Sequence, residues 1–133
     1  VVKQRGSALV EFQVLAVLLL VPLVYVVLAA LDVQRTVFGA TQAAREAGRV
    51  MAVSGDESAA RYAAGLALRD QGVEPSRVDV RLTCTPGCTT PGGRITVDVA
   101  TRVSLPYLPD VLNGVAAVPV SARHVAPVDR YRA

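Results

Sequence analysis

Cys84 and Cys88 are the only cysteines in the chain, and they enclose Thr85-Pro86-Gly87, so the thiols lie close enough in sequence to react with each other. An intrachain disulfide there would staple a small core and limit fraying of a hairpin tip, although so short a loop gives less stabilisation than a long one. Two free thiols, or a bond to another chain, are the alternatives. Metal binding is not expected, because His124 is the only histidine and there is no third thiol. Asp56 and Glu57 are adjacent acids that read as partners of a helix dipole rather than as an acid/base pair. With a single histidine and no nucleophile-elbow or phosphate-loop pattern, the serines build neither a triad nor an NTPase site, so no cofactor and no enzymatic activity are expected. Fourteen basic against 11 acidic residues give a net charge of +3. They are spread along the chain without a concentrated stripe interleaved with aromatics, which argues against nucleic acid as a partner. Arg130 and Arg132 read as a solvated basic tail.

The elements that must carry these residues are of two kinds. A length of 133 residues suffices for one small domain, yet 52% hydrophobic and 19% charged residues is an apolar balance for a soluble chain. The excess sits in Phe12 to Leu31, FQVLAVLLLVPLVYVVLAAL, which carries no formal charge. As a helix this run covers about 30 Å, the thickness of a bilayer hydrocarbon core. It is apolar on every face, and the remaining chain is too small to cover it. Lys3 and Arg5 precede it, so the positive-inside rule places the short N-terminus in the cytoplasm and everything after Leu31 outside. A secretory signal cut near Ala30 fits less well, since its apolar region normally spans about 7 to 15 residues. Pro22 interrupts the run, freeing the Leu18 carbonyl and favouring a modest kink of the kind membrane helices tolerate.

Glu11 stands at the edge of this helix, where a carboxylate is unfavourable by about 2.5 to 3.5 kcal/mol at mid-membrane and by less near the interface. Its surroundings run Lys3-Gln4-Arg5-Gly6, then Ser7-Ala8-Leu9-Val10-Glu11-Phe12, then the apolar run. This arrangement resembles the type IV prepilin cleavage motif. The resemblance implies that a membrane aspartyl peptidase cuts after Gly6, that the basic leader stays in the cytoplasm, and that Glu11 becomes fifth in the new chain. Such a cut creates an α-amino group on Ser7 that is largely protonated at neutral pH. Ser7 and Glu11 share a helix face, so the charges can pair within one chain, or Glu11 can reach the Ser7 amine of a neighbouring subunit. At about 4 Å and an effective dielectric near 20 the attraction is about 4 kcal/mol, comparable with the burial penalty. The alternative is a glutamate that reaches to interfacial water beside Arg5.

The segment GSALVEF, the long apolar helix, an amphipathic continuation and a small strand-rich remainder together resemble TadE-like minor pilins of the Tad (Flp) pilus system. Major Flp pilins are shorter and usually carry Tyr after the glutamate, where Phe12 stands here. The resemblance is strongest from Gly6 to about Ala52. It implies a non-enzymatic structural or assembly subunit, processed at Gly6 and Ser7, with Glu11 and Phe12 as assembly residues. The implied partners are the bilayer, the prepilin peptidase, other pilin or pseudopilin subunits and the pilus assembly machinery. The implied location is a single-pass membrane protein whose C-terminal domain is extracytoplasmic, in or beneath a surface pilus. An unprocessed single-span envelope protein whose exported domain binds a partner is the alternative, and a secreted enzyme a third reading.

Domain boundaries follow. Residues 1–6 are the basic leader, 7–31 the transmembrane helix, 32–53 its extracytoplasmic continuation and 54–133 a small exported α+β domain. In the continuation, Val33, Val37, Ala40, Ala44, Ala47 and Met51 alternate spacings of four and three, a narrow apolar seam for the chain's own domain or for neighbouring helices. Helix from Ser7 to about Val53 would extend roughly 70 Å. Ser54-Gly55-Asp56 ends it, and Asp56 caps a second short helix that stops at Gly72. Period-two alternation then predicts strands over Arg77 to Cys84 and Arg94 to Val103, joined across TPGCTTPGG as a hairpin. Ser104 to Gly114 reads as a loop with a helical turn, before a third strand around Ala117 to Val125. Pro119 places that strand at an edge of a small antiparallel sheet of about three strands.

Overall fold

The computed structural model describes residues 5–108, 111 and 115–131, with the backbone alone for Arg5, Gly6 and Ser7. In chain order the elements are α1 (Arg5–Ser54), α2 (Glu57–Asp70), a 3-10 turn (Pro75–Arg77), β1 (Asp79–Thr85), β2 (Arg94–Ser104) and β3 (Ala117–Pro127). This is an α+β fold with a long apolar N-terminal helix, a second short helix and a three-stranded antiparallel sheet. The chain divides into two units, residues 1–31 and 32–133. Residues 1–4, Lys3 among them, Arg132, and part of the loop expected to hold a helical turn lie outside the described residues.

The first unit is the apolar half of α1, a helix with Pro22 in its interior. Its large side chains are exposed, Phe12 at 71%, Leu18 at 70% and Leu19 at 68%, as an all-round apolar helix requires when no protein covers it. By length and composition this helix can cross a membrane.

In the second unit, the remainder of α1 and α2 lie on one face of the sheet. The strands run in the order β1-β2-β3, so β3 with Pro119 is an edge strand, as its sequence predicts. Register pairs Leu82 with Val97 and Val97 with His124. Alternate residues Ile95, Val97 and Val99 of β2 point into the core, each at most 1% exposed. Each such side chain contributes about 1.5 to 3 kcal/mol by burial. The helices meet them with small residues: Ala40, Ala43, Ala44 and Ala47 of α1, and Ala60 and Ala64 of α2, with Met51 and Leu68 filling the larger gaps.

The seam on α1 differs from its sequence reading at one turn. Val37 is 44% exposed, whereas Thr36 is buried at 9%. Thr36 tolerates this place because its hydroxyl donates to the Asp32 carbonyl at 2.9 Å, which satisfies the polar atom within the helix. Burial of Ala43 and Gly48 beside Ala40, Ala44 and Ala47 widens the contact stripe beyond a strict seam. α1 ends at Ser54, where Gly55 takes φ +70 and donates its N–H to the Met51 carbonyl at 2.9 Å. Asp56 caps α2 by accepting from the Ser58 and Ala59 N–H groups. Arg61 of α2 pairs with Glu57 and donates to the Val80 carbonyl of β1 at 2.6 Å, tying helix to sheet. The first strand starts two residues later than alternation suggests, because Arg77 belongs to the 3-10 turn and the Val78 N–H closes that turn on the Pro75 carbonyl at 3.1 Å.

Candidate functional site

Gly6, Ser7, Glu11 and Phe12 all lie on α1, the first two described by backbone alone. Helical geometry places residues four apart on one face, so Ser7 and Glu11 are stacked a turn apart, as their spacing predicts. Glu11 and Phe12 are exposed, and among the described residues Glu11 forms no ion pair. This region therefore offers one carboxylate, one large aromatic face and an apolar helix behind them. Such a set can make one charge contact and one apolar contact with a neighbouring surface. Within the apolar run the Tyr25 hydroxyl is buried and finds no hydrogen-bond partner among the described residues.

Cys84 and Cys88 are joined by a disulfide, with their Cα atoms 4.8 Å apart. Cys84 closes β1 from the half-buried side of the strand, and the bond holds the chain that turns back toward β2. Glycine makes that turn possible. A Cβ on Gly93 would stand 2.9 Å from the Thr90 carbonyl oxygen, and Gly92 takes φ +75. The same tip touches the end of α1, where a Cβ on Gly55 would lie 2.8 Å from Thr89 Cγ2. Val128, 1% exposed, closes the base of the hairpin through its N–H to the Gly93 carbonyl and its carbonyl to the Gly92 N–H.

His124 lies on the inward side of β3, against Gly48, and has no thiol near it in register. Among the described residues, no three or more His, Cys, Asp or Glu side chains gather as a metal would require. Asp56 and Glu57 separate into the two roles expected at a helix start: Asp56 caps, and Glu57 pairs with Arg61 at 2.7 Å. Hydrogen bonds from the Ser58 hydroxyl and N–H, and from the Ala59 N–H, hold the Asp56 carboxyl below the usual carboxylate range. Sequence reading passed over Arg35, Arg77 and Arg102, which line one cleft of the second unit. They are far apart in the chain and sit on three different elements, so no local spacing could have signalled them.

Comparison of the chain with protein-family models, with curated proteins and with solved structures returned no match. Its reading therefore rests on its own residues and geometry.

Proposed function

We propose that the protein is a TadE-like minor pilin or pseudopilin, a membrane-anchored structural or assembly subunit of a Tad (Flp) type IV pilus, processed after Gly6. The observation that carries this reading is the order basic leader, Gly6, Ser7, Glu11, Phe12 and uncovered apolar run on one helix. A helix with exposed Leu and Val on every side needs lipid or other helices as its solvent. Lys3 and Arg5 orient it with the N-terminus in the cytoplasm and the α+β domain outside. Cutting after Gly6 puts a positive amine one turn from the Glu11 carboxylate. That pair gives an otherwise unfavourable charge a partner and gives neighbouring subunits a point of register. The disulfide suits an exported domain, because such bonds persist in oxidising compartments.

Photo-crosslinking from position 12 in cells that make the whole pilus system tests the assignment. A subunit yields crosslinks to other pilin-like helices that disappear when the prepilin peptidase is removed. Crosslinks that persist unchanged without the peptidase contradict it and favour an unprocessed single-span envelope protein.

A further inference from the structure

β1 and β3 are the two edges of the sheet, and each is closed by a different device. On β3, the Val128 N–H bonds to the Gly93 carbonyl, so by alternation the odd-numbered residues turn their backbone groups to the free edge. Two of those residues are Pro119 and Pro127, which offer no N–H to an incoming strand. On β1 the even-numbered residues face outward, because the Val80 carbonyl accepts from Arg61 Nη1 at 2.6 Å rather than from β2. Leu82 faces the same way. Arg61 is itself held, its Nε and Nη2 donating to Glu57 Oε1 at 2.9 and 2.7 Å. A side-chain donor thus stands where the N–H of a fourth strand would stand.

Antiparallel pairing of β1 with β1 of a second copy can centre on Val80, Arg81 or Leu82. Centring on Arg81 sets two guanidinium groups face to face, and centring on Leu82 sets Arg81 opposite Thr83. Centring on Val80 sets each Asp79 opposite the other copy's Arg81, two ion pairs on the sheet face away from the helices. That face already carries Arg123, Asp98 and Arg81 in one row across β3, β2 and β1. The second copy's Asp79 would continue this alternation of charge onto a fourth strand. The backbone acceptor at the centre of that register is the Val80 carbonyl, the one Arg61 occupies. We propose that Arg61 is an autoinhibitory contact: it closes a self-complementary β1 edge, so that the domain does not join a second copy by strand addition while Arg61 holds Val80. The contact lies wholly within the second unit and is independent of the membrane reading.

The test compares the full chain with Arg61→Met, which keeps an aliphatic stem and removes the donors, by sedimentation velocity in maltoside micelles. Association through α1 is common to both chains, so the difference reads the β1 edge. Arg61→Met should dimerise about tenfold more tightly than the wild type. Glu57→Ala, which removes the anchor of Arg61, should move the same way to a smaller extent. In Arg61→Met mixed from differently labelled copies, an NOE should join Asp79 Hα of one to Arg81 Hα of the other. Adding Arg81→Asp should undo the gain by about tenfold, and adding Asp79→Arg to that variant should restore it. Wild-type association in folded Arg61→Met, or in Glu57→Ala should the methionine variant fail to fold, would overturn the proposal and leave Arg61 only as a fastener of α2 to the sheet. An NOE between Arg81 and Thr83 of different copies would overturn the charge-paired register.

Discussion

Gly48 of α1 lies directly against His124 of β3: a Cβ placed on Gly48 would stand 3.1 Å from His124 Cδ2 and 3.2 Å from Ala126 Cβ. The helix can approach the sheet this closely only because position 48 has no side chain. His124 thereby acquires a packing role on the inward face of the edge strand, beside its register partner Val97.

Gly48→Val should therefore lower the melting temperature of the full chain, by an overpacking penalty of about 1 to 3 kcal/mol. Gly48→Ala should lose much less, because a gain in helix propensity of about 1 kcal/mol offsets the tight contact. His124→Ala should recover part of the valine variant's loss, since the two changes share one contact. Additive losses in that double variant would show that His124 is not what position 48 meets.

The Cys84–Cys88 bond closes a very short loop, so its removal should lower stability by only about 2 kcal/mol. Amide exchange is the informative measurement. In Cys84→Ser/Cys88→Ser, exchange should accelerate across residues 85–93 and at Gly55, which the tip touches, while the β2–β3 ladder stays protected. Uniform acceleration through the sheet would contradict a local staple.

Asp56→Ala should lower the melting temperature by a few degrees at neutral pH, because it leaves the Ser58 and Ala59 N–H groups without their acceptor. The pH dependence has a definite sign. A carboxyl whose pKa is lowered by folding stabilises fully above its unfolded value, and that stabilisation is lost as pH falls through the lower folded value. The gap between wild type and Asp56→Ala should hence narrow in acid, below about pH 4. A gap that widens there would mean that the cap does not depend on the ionised carboxylate.

For the proposed assembly role, Glu11→Ala should insert in the membrane as wild type does, because it only lengthens the apolar run. Crosslinking to other pilus subunits and surface piliation should fall together. Glu11→Gln should behave likewise, since it keeps the size and removes the charge. Normal crosslinking and piliation in both variants would reduce Glu11 to an interfacial residue.

Much of this fold is legible in local sequence because local rules decide it. Asp56 and Gly72 bound α2 by capping chemistry, period-two alternation marks β1 and β2, and Pro119 marks the edge. Thr36 in place of Val37 was not legible, because a threonine can satisfy its hydroxyl on its own helix and then pass as apolar. The close approach at Gly48 was equally hidden. A glycine inside a helix reads as a weak point until the strand opposite it is known. The cleft lined by residues of α1, the 3-10 turn and β2 is the extreme case, because those three elements come together only in the tertiary fold.

The central claim is that this chain is a prepilin-like substrate, and the mass of the mature protein tests it most directly. Extracted from membranes of cells with an active prepilin peptidase, the protein should begin at Ser7, and Gly6→Leu should block that processing. A wild-type chain that retains Lys3-Gln4-Arg5-Gly6 under those conditions would contradict the account, as would normal processing of Gly6→Leu.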